Sequence, residues 1–478
     1  MIVGLILIPV LAGAACLFLE NSRQLRMILI AVALLHLILT VLCWVFPPAG
    51  LWQGWLALDE AGKLFLTIVS VLFVGSSFYL LEYFQREASS PHESESVFVA
   101  CLLFFLGTMS LVTVSQHFSL LWVAIEATTL ASAPLIYFHR NPQSLEATWK
   151  YLLICSVGIA LALLGTFLMA AAATASPTPV ELSVAGLTSH AQHLQPIWLK
   201  AAFLFLLVGY GTKMGLAPLH SWLPDAHSEA PSAVSALLSG ALLNCAFLGI
   251  FRTLQVCSAA GIGDFARQVL IAFGLISMAF AAIFLLRQAD YKRMLAYSSV
   301  EHMGILTLGI GLGGLGSFAG LLHAVNHSLT KAVLFLLAGN IIFAYRSKST
   351  EAVSGMFHRI PATAVLWTAG FFAIIGFPPF GTFISELTIL RAALQQGHGW
   401  IAAAYLGLLS LAMIGMAGVI LKMLYGPAPA QGELRESRLS LVTPIVFAAL
   451  VLLLGLVIPN FLSQTLTAAA GLAGGALR

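Results

Sequence analysis

Eight ionisable side chains lie inside stretches of sequence that are otherwise apolar. Glu126 sits in WVAIEATTL, Lys213 in GYGTKMG, Glu301 and His302 in SSVEHMG, His323, His327 and Lys331 in HAVNHSLTK, and Glu386 in GTFISEL. A charge at the centre of a lipid bilayer costs on the order of 2.5–3.5 kcal/mol on insertion scales, so so many such positions need a common cause. The simplest is a buried polar axis, and the residue types suit proton transfer. Imidazole exchanges protons near neutral pH, burial can bring an amine into that range, and a nearby carboxylate opposes the change. Moving acid and amine together or apart can therefore load and release a proton. His323, His327 and Lys331 occupy positions i, i+4 and i+8, which on an α-helix places them along one face over about 12 Å. The H-x-x-x-H pair also has zinc-binding spacing, but it lacks the glutamate of H-E-x-x-H and shows no obvious third ligand, so no metal is expected. No catalytic residue, no cofactor-binding residue and no cofactor is assigned.

The stretch Gly209 to Ser232, GYGTKMGLAPLHSWLPDAHSEAPS, indicates how such groups are positioned. It begins in an apolar segment, places Lys213 there, breaks at Gly215 and Pro218, and then brings His220, Asp225, His227 and Glu229 within ten residues. Non-helical backbone at membrane depth survives only where protein buries it or where it lines a watery cavity, and half-helices ending at such places are a recurrent transporter device. Pro378-Pro379-Phe380-Gly381 interrupts the segment carrying Glu386 in the same way. The long segment containing His323 to Lys331 is expected to be discontinuous too. Other readings stand beside these. The prolines can merely kink packed helices, and Asp225, His227 and Glu229 can cap a helix and solvate the mouth of the bundle. The Asp290 to Arg293 cluster, DYKR, reads as a solvated turn, and the lone His36 and His117 read as satisfied core or interfacial residues.

The elements that must carry these groups follow from composition. Of 478 residues, 60% are hydrophobic and only 9% charged, with a mean hydropathy of +0.97; soluble domains carry roughly 25% charged residues. The expected class is an all-α polytopic membrane protein. A net charge of +3 without a basic stripe excludes nucleic acid as a partner. Cys16, Cys43, Cys101, Cys155, Cys245 and Cys257 form no C-x-x-C pair and read as small core hydrophobes, against an iron–sulfur, haem or zinc-finger site. The apolar run before Cys16 lacks a basic start and reads as a first membrane helix. Fourteen segments, from 2–19 to 440–463, reach the roughly 20 residues a bilayer requires. Fourteen of the 22 Lys and Arg, Arg23, Arg140, Arg293 and Arg435 among them, fall in loops on one side and six, Arg252 and Arg478 among them, on the other. That bias puts both termini outside the cytoplasm. Ionisable residues recur at similar offsets, Glu126 to Glu301 and Lys213 to Glu386, a faint internal repeat of paired halves. The expected divisions are N-terminal helices over 1–96, a first repeat over 97–256, a second over 265–426 and a last helix over 440–463.

Four stretches, GTKMGLAPLHSWLPDAHSEAPSAVSALL, DYKRMLAYSSVEHMG, HAVNHSLTKAVLFLLAGN and GFPPFGTFISE, resemble the antiporter-like membrane subunits of respiratory complex I, of group 4 membrane-bound hydrogenases and of multisubunit sodium/proton antiporters. The similarity runs from about Phe98 to Tyr425. It implies about fourteen transmembrane helices in two inverted five-helix repeats, with broken helices 7 and 12. It also implies a proton path along a central axis and a place among other membrane subunits whose redox chemistry resides in a peripheral arm. This chain would then be a non-redox subunit in a bacterial inner membrane, its partners being protons, lipid and those subunits. Carried over by position, the family's essential glutamate falls on Glu126, its span 7 lysine on Lys213, its span 11 group on His323, His327 and Lys331, and its span 12 acid on Glu386. The pathway expected is Glu126, Lys213, His220, Asn244, Glu301, His302, His323, His327, Lys331 and Glu386. Asn244 stands where complex I relatives often have lysine, and it cannot hold a proton; Glu301 is an added acid. With the chain's shortness and its lack of a long C-terminal lateral helix, these departures make it look most like the component F type of hydrogenase 4. The competing classes are an Mrp-type sodium/proton antiporter subunit, which should show an oxygen-rich cation site, and a structural membrane anchor, which has no use for buried charges.

Overall fold

The apolar stretches form α-helices, which besides a closed barrel are the only spanning structures whose backbone groups are satisfied within lipid. The computed structural model describes residues 1–87, 95–427, 434 and 436–474. In chain order the helices are α1 (Ile2–Cys16), α2 (Ser22–Val45), α3 (Glu60–Glu87), α4 (Glu95–Val114), α5 (Phe118–Ile136), α6 (Pro142–Ala172), α7 (Val184–Ser189), α8 (Pro196–Met214), α9 (Trp222–Glu229), α10 (Ser232–Leu237), α11 (Leu243–Ala259), α12 (Gly263–Leu285), α13 (Tyr291–Leu312), α14 (Leu315–Tyr345), α15 (Met356–Arg359), α16 (Pro361–Ile374), α17 (Gly381–Gln395), α18 (Gly399–Tyr425), α19 (Arg438–Leu456) and α20 (Asn460–Leu472). A π-turn over Leu238–Leu242 joins α10 to α11 in one span. Among the described residues 11 helices are long and apolar enough to cross a membrane, while α1 and α16 are apolar but shorter. Extended pairing among these residues is limited to isolated bridges between loops. The chain is an all-helical, multi-pass membrane protein. Part of the polar stretch 85–96, which in sequence reads as a connector, and the basic residues Arg435 and Arg478 lie outside the described residues.

Two helices break where the sequence places glycine and proline. Helix α8 ends on Gly215, whose φ of +82° is a left-handed conformation suited to glycine. The groups freed at this break find partners: Trp222 Nε1 donates to the Thr212 carbonyl at 2.8 Å, and the Ala217 amide donates to Ser277 Oγ at 3.0 Å. At the second break, between α16 and α17, Asn326 Nδ2 donates to the Gly381 carbonyl at 2.8 Å and the Thr382 hydroxyl donates to the Ala373 carbonyl. The third expected break is absent. Helix α14 runs unbroken for 31 residues through His323, His327 and Lys331. It contains no proline, and its Asn326, Ser328 and Thr330 side chains find partners without opening the helical ladder. Length alone was a poor guide to discontinuity.

Small residues bring the helices that carry the site close together. A Cβ at Gly209 would stand 2.6 Å from the Ala162 amide nitrogen, so α8 lies against α6 almost backbone to backbone. Gly274 and Gly304 face each other in the same way, each 2.8 Å from the other's carbonyl oxygen if given a Cβ, and set α12 against α13.

The two ends of the bundle are held by charge. At one end Lys150 and Arg293 both pair with Asp225, at 3.0 and 2.9 Å, and Lys348 pairs with Glu229 at 2.7 Å. Asp290 caps α13 by accepting from the Lys292 and Arg293 amides. The solvated-turn reading of Asp290 to Arg293 therefore needs correction: Lys292 is buried, and its Nζ donates to the Ala230 carbonyl at 2.5 Å. At the opposite end Arg252, counted in sequence as a loop-facing cation, is fully buried. Its guanidinium donates to the Val112 carbonyl at 3.0 Å, the Thr113 carbonyl at 2.7 Å and the Ser115 carbonyl, and reaches Asp59 at 3.2 Å. The Val112 and Thr113 carbonyls belong to the last turn of α4 and Ser115 lies just past it, where a cation complements the helix dipole. Ile2 packs with Leu56 and Val114 at this end, and Arg267 donates to the Gly474 carbonyl there.

Candidate functional site

Two polar clusters lie in the helical core. The first is built by α5, α6 and α8. Glu126 and Thr129 are three residues apart on α5, so they share a face. Lys213 projects from the last turn of α8 and is fully buried, while Glu126 is half-buried. The two do not meet directly. Lys213 Nζ donates to Thr129 Oγ1 at 2.8 Å, and Thr129 donates to Glu126 Oε2 at 3.3 Å, a chain in which every donor points the same way. Lys213 also donates to the Tyr151 hydroxyl at 2.5 Å and lies 4.4 Å from the centre of its ring. Tyr151 continues to Ser132 at 2.6 Å, and Ser156 donates to Glu126 Oε1 at 2.9 Å.

The second cluster joins α13, α14 and α17. His302 Nδ1 and His323 Nε2 are 2.9 Å apart, with the two rings stacked at 5.0 Å. Such a contact needs one donor and one acceptor, so at least one of the two imidazoles is neutral in this arrangement. The His327 ring lies 5.1 Å from that of His302, and both of its nitrogens are buried without a hydrogen-bond partner. His323 Nδ1 is 3.0 Å from Ser385 Oγ, beside Glu386 in the chain. Glu386 Oε1 is buried without a partner, and the acid packs against Gly376, where a Cβ would stand 1.9 Å from Oε2. Lys331 is fully buried and donates to the Leu295 carbonyl at 2.7 Å. Glu301, next to His302 on α13, is buried as well.

Asn244 stands beside the π-turn that joins α10 to α11. Its Nδ2 donates to the Gly240 carbonyl at 2.8 Å and to Ser328 Oγ at 2.7 Å, and its Oδ1 is buried without a partner. Ser328 follows His327 on α14, so Asn244 reaches the edge of the second cluster from the start of α11. His220 is placed apart from both clusters, against Phe280, Phe284 and Tyr297 at the first break. His36 is satisfied by Ser110 and Ser70 at 2.8 and 2.9 Å, and His117 caps α5.

Sequence reasoning missed Thr129, Tyr151 and Ser385, because hydroxyl side chains are common in helices and only their partners mark them; the i+3 spacing of Thr129 from Glu126 was the available signal. It also left His227 outside the pathway. That residue is fully buried, stacks on Phe335 at 5.0 Å and has neither ring nitrogen paired. The His323/His327 pair gains no third ligand among the described residues, but a different set converges in space: one ligand atom each from His302, His323 and Glu386 lie within 4.8 Å of one another.

Residues 115–412 match the family described as NADH:quinone oxidoreductase/Mrp antiporter, TM. A relative described as hydrogenase-4 component F homolog, from Methylacidiphilum infernorum, is 38% identical over 375 residues, covering 76% of this chain and 77% of that one. The fold superposes on a chain of the membrane-bound sulfane sulfur reductase, an archaeal respiratory membrane complex, with a TM-score of 0.89 and 22% identity over 99% of this chain and 98% of that one. It superposes on a chain of the Mrp complex from Dietzia sp. with a TM-score of 0.87 and 20% identity over 99% of this chain and 97% of that one.

Proposed function

Because the chain belongs to the NADH:quinone oxidoreductase/Mrp antiporter transmembrane family, we propose that it moves protons as a non-redox membrane subunit of a hydrogenase or complex I-type respiratory assembly. Protons pass along Glu126, Lys213, Asn244, Glu301, His302, His323, His327, Lys331 and Glu386, with His220 at the first break. The driving change comes from redox chemistry in a peripheral arm carried by partner subunits. The observation that carries this reading is the directed bridge Lys213–Thr129–Glu126 deep in the bundle. A lysine joined to an acid through one hydroxyl can hand over a proton by a shift along existing hydrogen bonds, whereas a scaffold has no need to bury the lysine. Lys213→Ala is expected to leave the complex assembled while abolishing proton uptake coupled to electron transfer in membrane vesicles. Normal coupling in the assembled variant would refute the assignment.

The finer architecture belongs to the same proposal. It has about fourteen spans, with the halves 97–256 and 265–426 as inverted repeats, helices 1–3 over 1–96 before them and a last span, carried by α19 within 440–463, after them. The bundle end bearing Lys150, Arg293 and Lys348 faces the cytoplasm, and both termini face the other side of a bacterial inner membrane. The second reading, an Mrp-type sodium/proton antiporter subunit, has the fold likeness in its favour. The site favours protons, since His302, His323 and Glu386 supply two nitrogens to one carboxylate where sodium would want oxygen. Sodium-independent uptake separates the two.

A further inference from the structure

We propose that His302, His323 and Glu386 form a binding site for a divalent transition-metal ion of the zinc type. The three offer one ligand atom each, all within 4.8 Å of one another. Two imidazole nitrogens and one carboxylate make a three-residue zinc ligand set that leaves a fourth position open. Ligand atoms around a tetrahedral zinc stand about 3.3 Å apart, given bond lengths of roughly 2.0–2.1 Å. His302 Nδ1 and His323 Nε2 are already 2.9 Å apart, so the imidazoles need to part slightly and the carboxylate to swing inward.

Two independent features point to a ligand at this place. Glu386 Oε1 has no hydrogen-bond partner although the residue is only 6% exposed, a costly state for an acceptor unless something else satisfies it. Ser385 Oγ lies 3.0 Å from His323 Nδ1. When that nitrogen donates to the hydroxyl, the lone pair of Nε2 is directed at the shared space, as outer partners of metal-bound histidines commonly arrange. His302 then carries its single ring proton on Nδ1 in the empty site, and binding through Nδ1 requires the other neutral tautomer, with that proton on Nε2. Nitrogen-rich ligation selects zinc, cobalt, nickel or copper over calcium and magnesium, which take oxygen. His302 and His323 are 1% and 0% exposed against 6% for Glu386, so the carboxylate beside the second break is the group through which an ion would exchange.

Occupancy would tie up three members of the proton path, a consequence that rests on the function proposed above; the site itself does not. The test uses the purified, assembled complex titrated with Co²⁺ and then with Zn²⁺. The wild type is expected to take one Co²⁺ in this subunit, with the visible absorption of four-coordinate nitrogen and oxygen ligation, and to lose it to Zn²⁺. His302→Gln should abolish that band. Ser385→Ala, which leaves all three ligands in place, should weaken binding about 10- to 100-fold. Should His302→Gln fail to assemble, the Ser385→Ala shift alone decides. A Co²⁺ spectrum and affinity unchanged by either variant, or no such spectrum in the wild type, overturns the site. If Co²⁺ binds as expected while proton uptake continues at its full rate, the metal site stands and the relay reading falls.

Discussion

Replacing Thr129 with valine removes a single oxygen from the first cluster while keeping nearly the same volume. That oxygen accepts from Lys213 at 2.8 Å and its proton is donated to Glu126 at 3.3 Å, so the substitution cuts the only hydrogen-bonded link seen between the lysine and the acid among the described residues. Lys213 keeps its contact with Tyr151, and Glu126 keeps Ser156, so neither charge is stranded. A hydrogen bond to a charged group contributes about 1.5–3 kcal/mol. At about 1.4 kcal/mol per factor of ten in rate, its loss should slow transfer through this half roughly 10- to 100-fold. The assay is initial proton uptake by vesicles driven by electron transfer, with subunit stoichiometry checked on the same preparation. Thr128→Val is the matched control, since that hydroxyl donates only to the Ile125 carbonyl on its own helix. Uptake by Thr129→Val equal to that of the control would refute the bridge as the route.

Glu386→Gln is expected to block transport more severely than Asn244→Ala, because glutamine retains the shape and hydrogen bonding of the acid but cannot exchange its proton, an ability Asn244 never had; equal losses in vesicle uptake would remove the distinction. Arg252→Met should lower the stability of the bundle by about 3–5 kcal/mol, the usual result of breaking a buried ionic network. It removes the guanidinium from the Val112 and Thr113 carbonyls at the end of α4 and from Asp59, which keeps the Gly62 amide, and a thermal aggregation temperature within a degree of wild type would contradict this.

The membrane class and the burial of most of the ionisable residues were legible because apolar runs and the charges inside them leave strong one-dimensional signals. The breaks at Gly215 and at Pro378-Pro379 were legible for the same reason, since glycine and proline act on their own backbone. What escaped depended on distant partners. Arg252 looked like a loop cation, yet its role is set by carbonyls of α4 more than a hundred residues earlier in the chain, as the separations of 137–140 residues show. Lys292 looked solvated because Asp290 and Arg293 flank it, whereas the helix turns its side chain inward to the Ala230 carbonyl. His323 and His327 were read as a pair along one helix. In space both neighbour His302 on another helix, and His323 joins it and Glu386 as potential ligands. The long segment around them was expected to break because of its length, but a helix needs a missing donor or a steric clash to break, and α14 supplies neither.

The central claim is that buried amines in this bundle change protonation state, and Lys331 tests it most directly. Its Nζ donates to the Leu295 carbonyl at 2.7 Å, a contact that would by itself suit a packing role. Arginine keeps the positive charge and the ability to donate, but with a pKa of about 12.5 or higher it is effectively never deprotonated. Proton uptake measured side by side in vesicles carrying Lys331→Arg and Lys331→Ala should be strongly impaired in both. Wild-type uptake with arginine and loss only with alanine would make Lys331 a structural donor and contradict the proposed path at its centre.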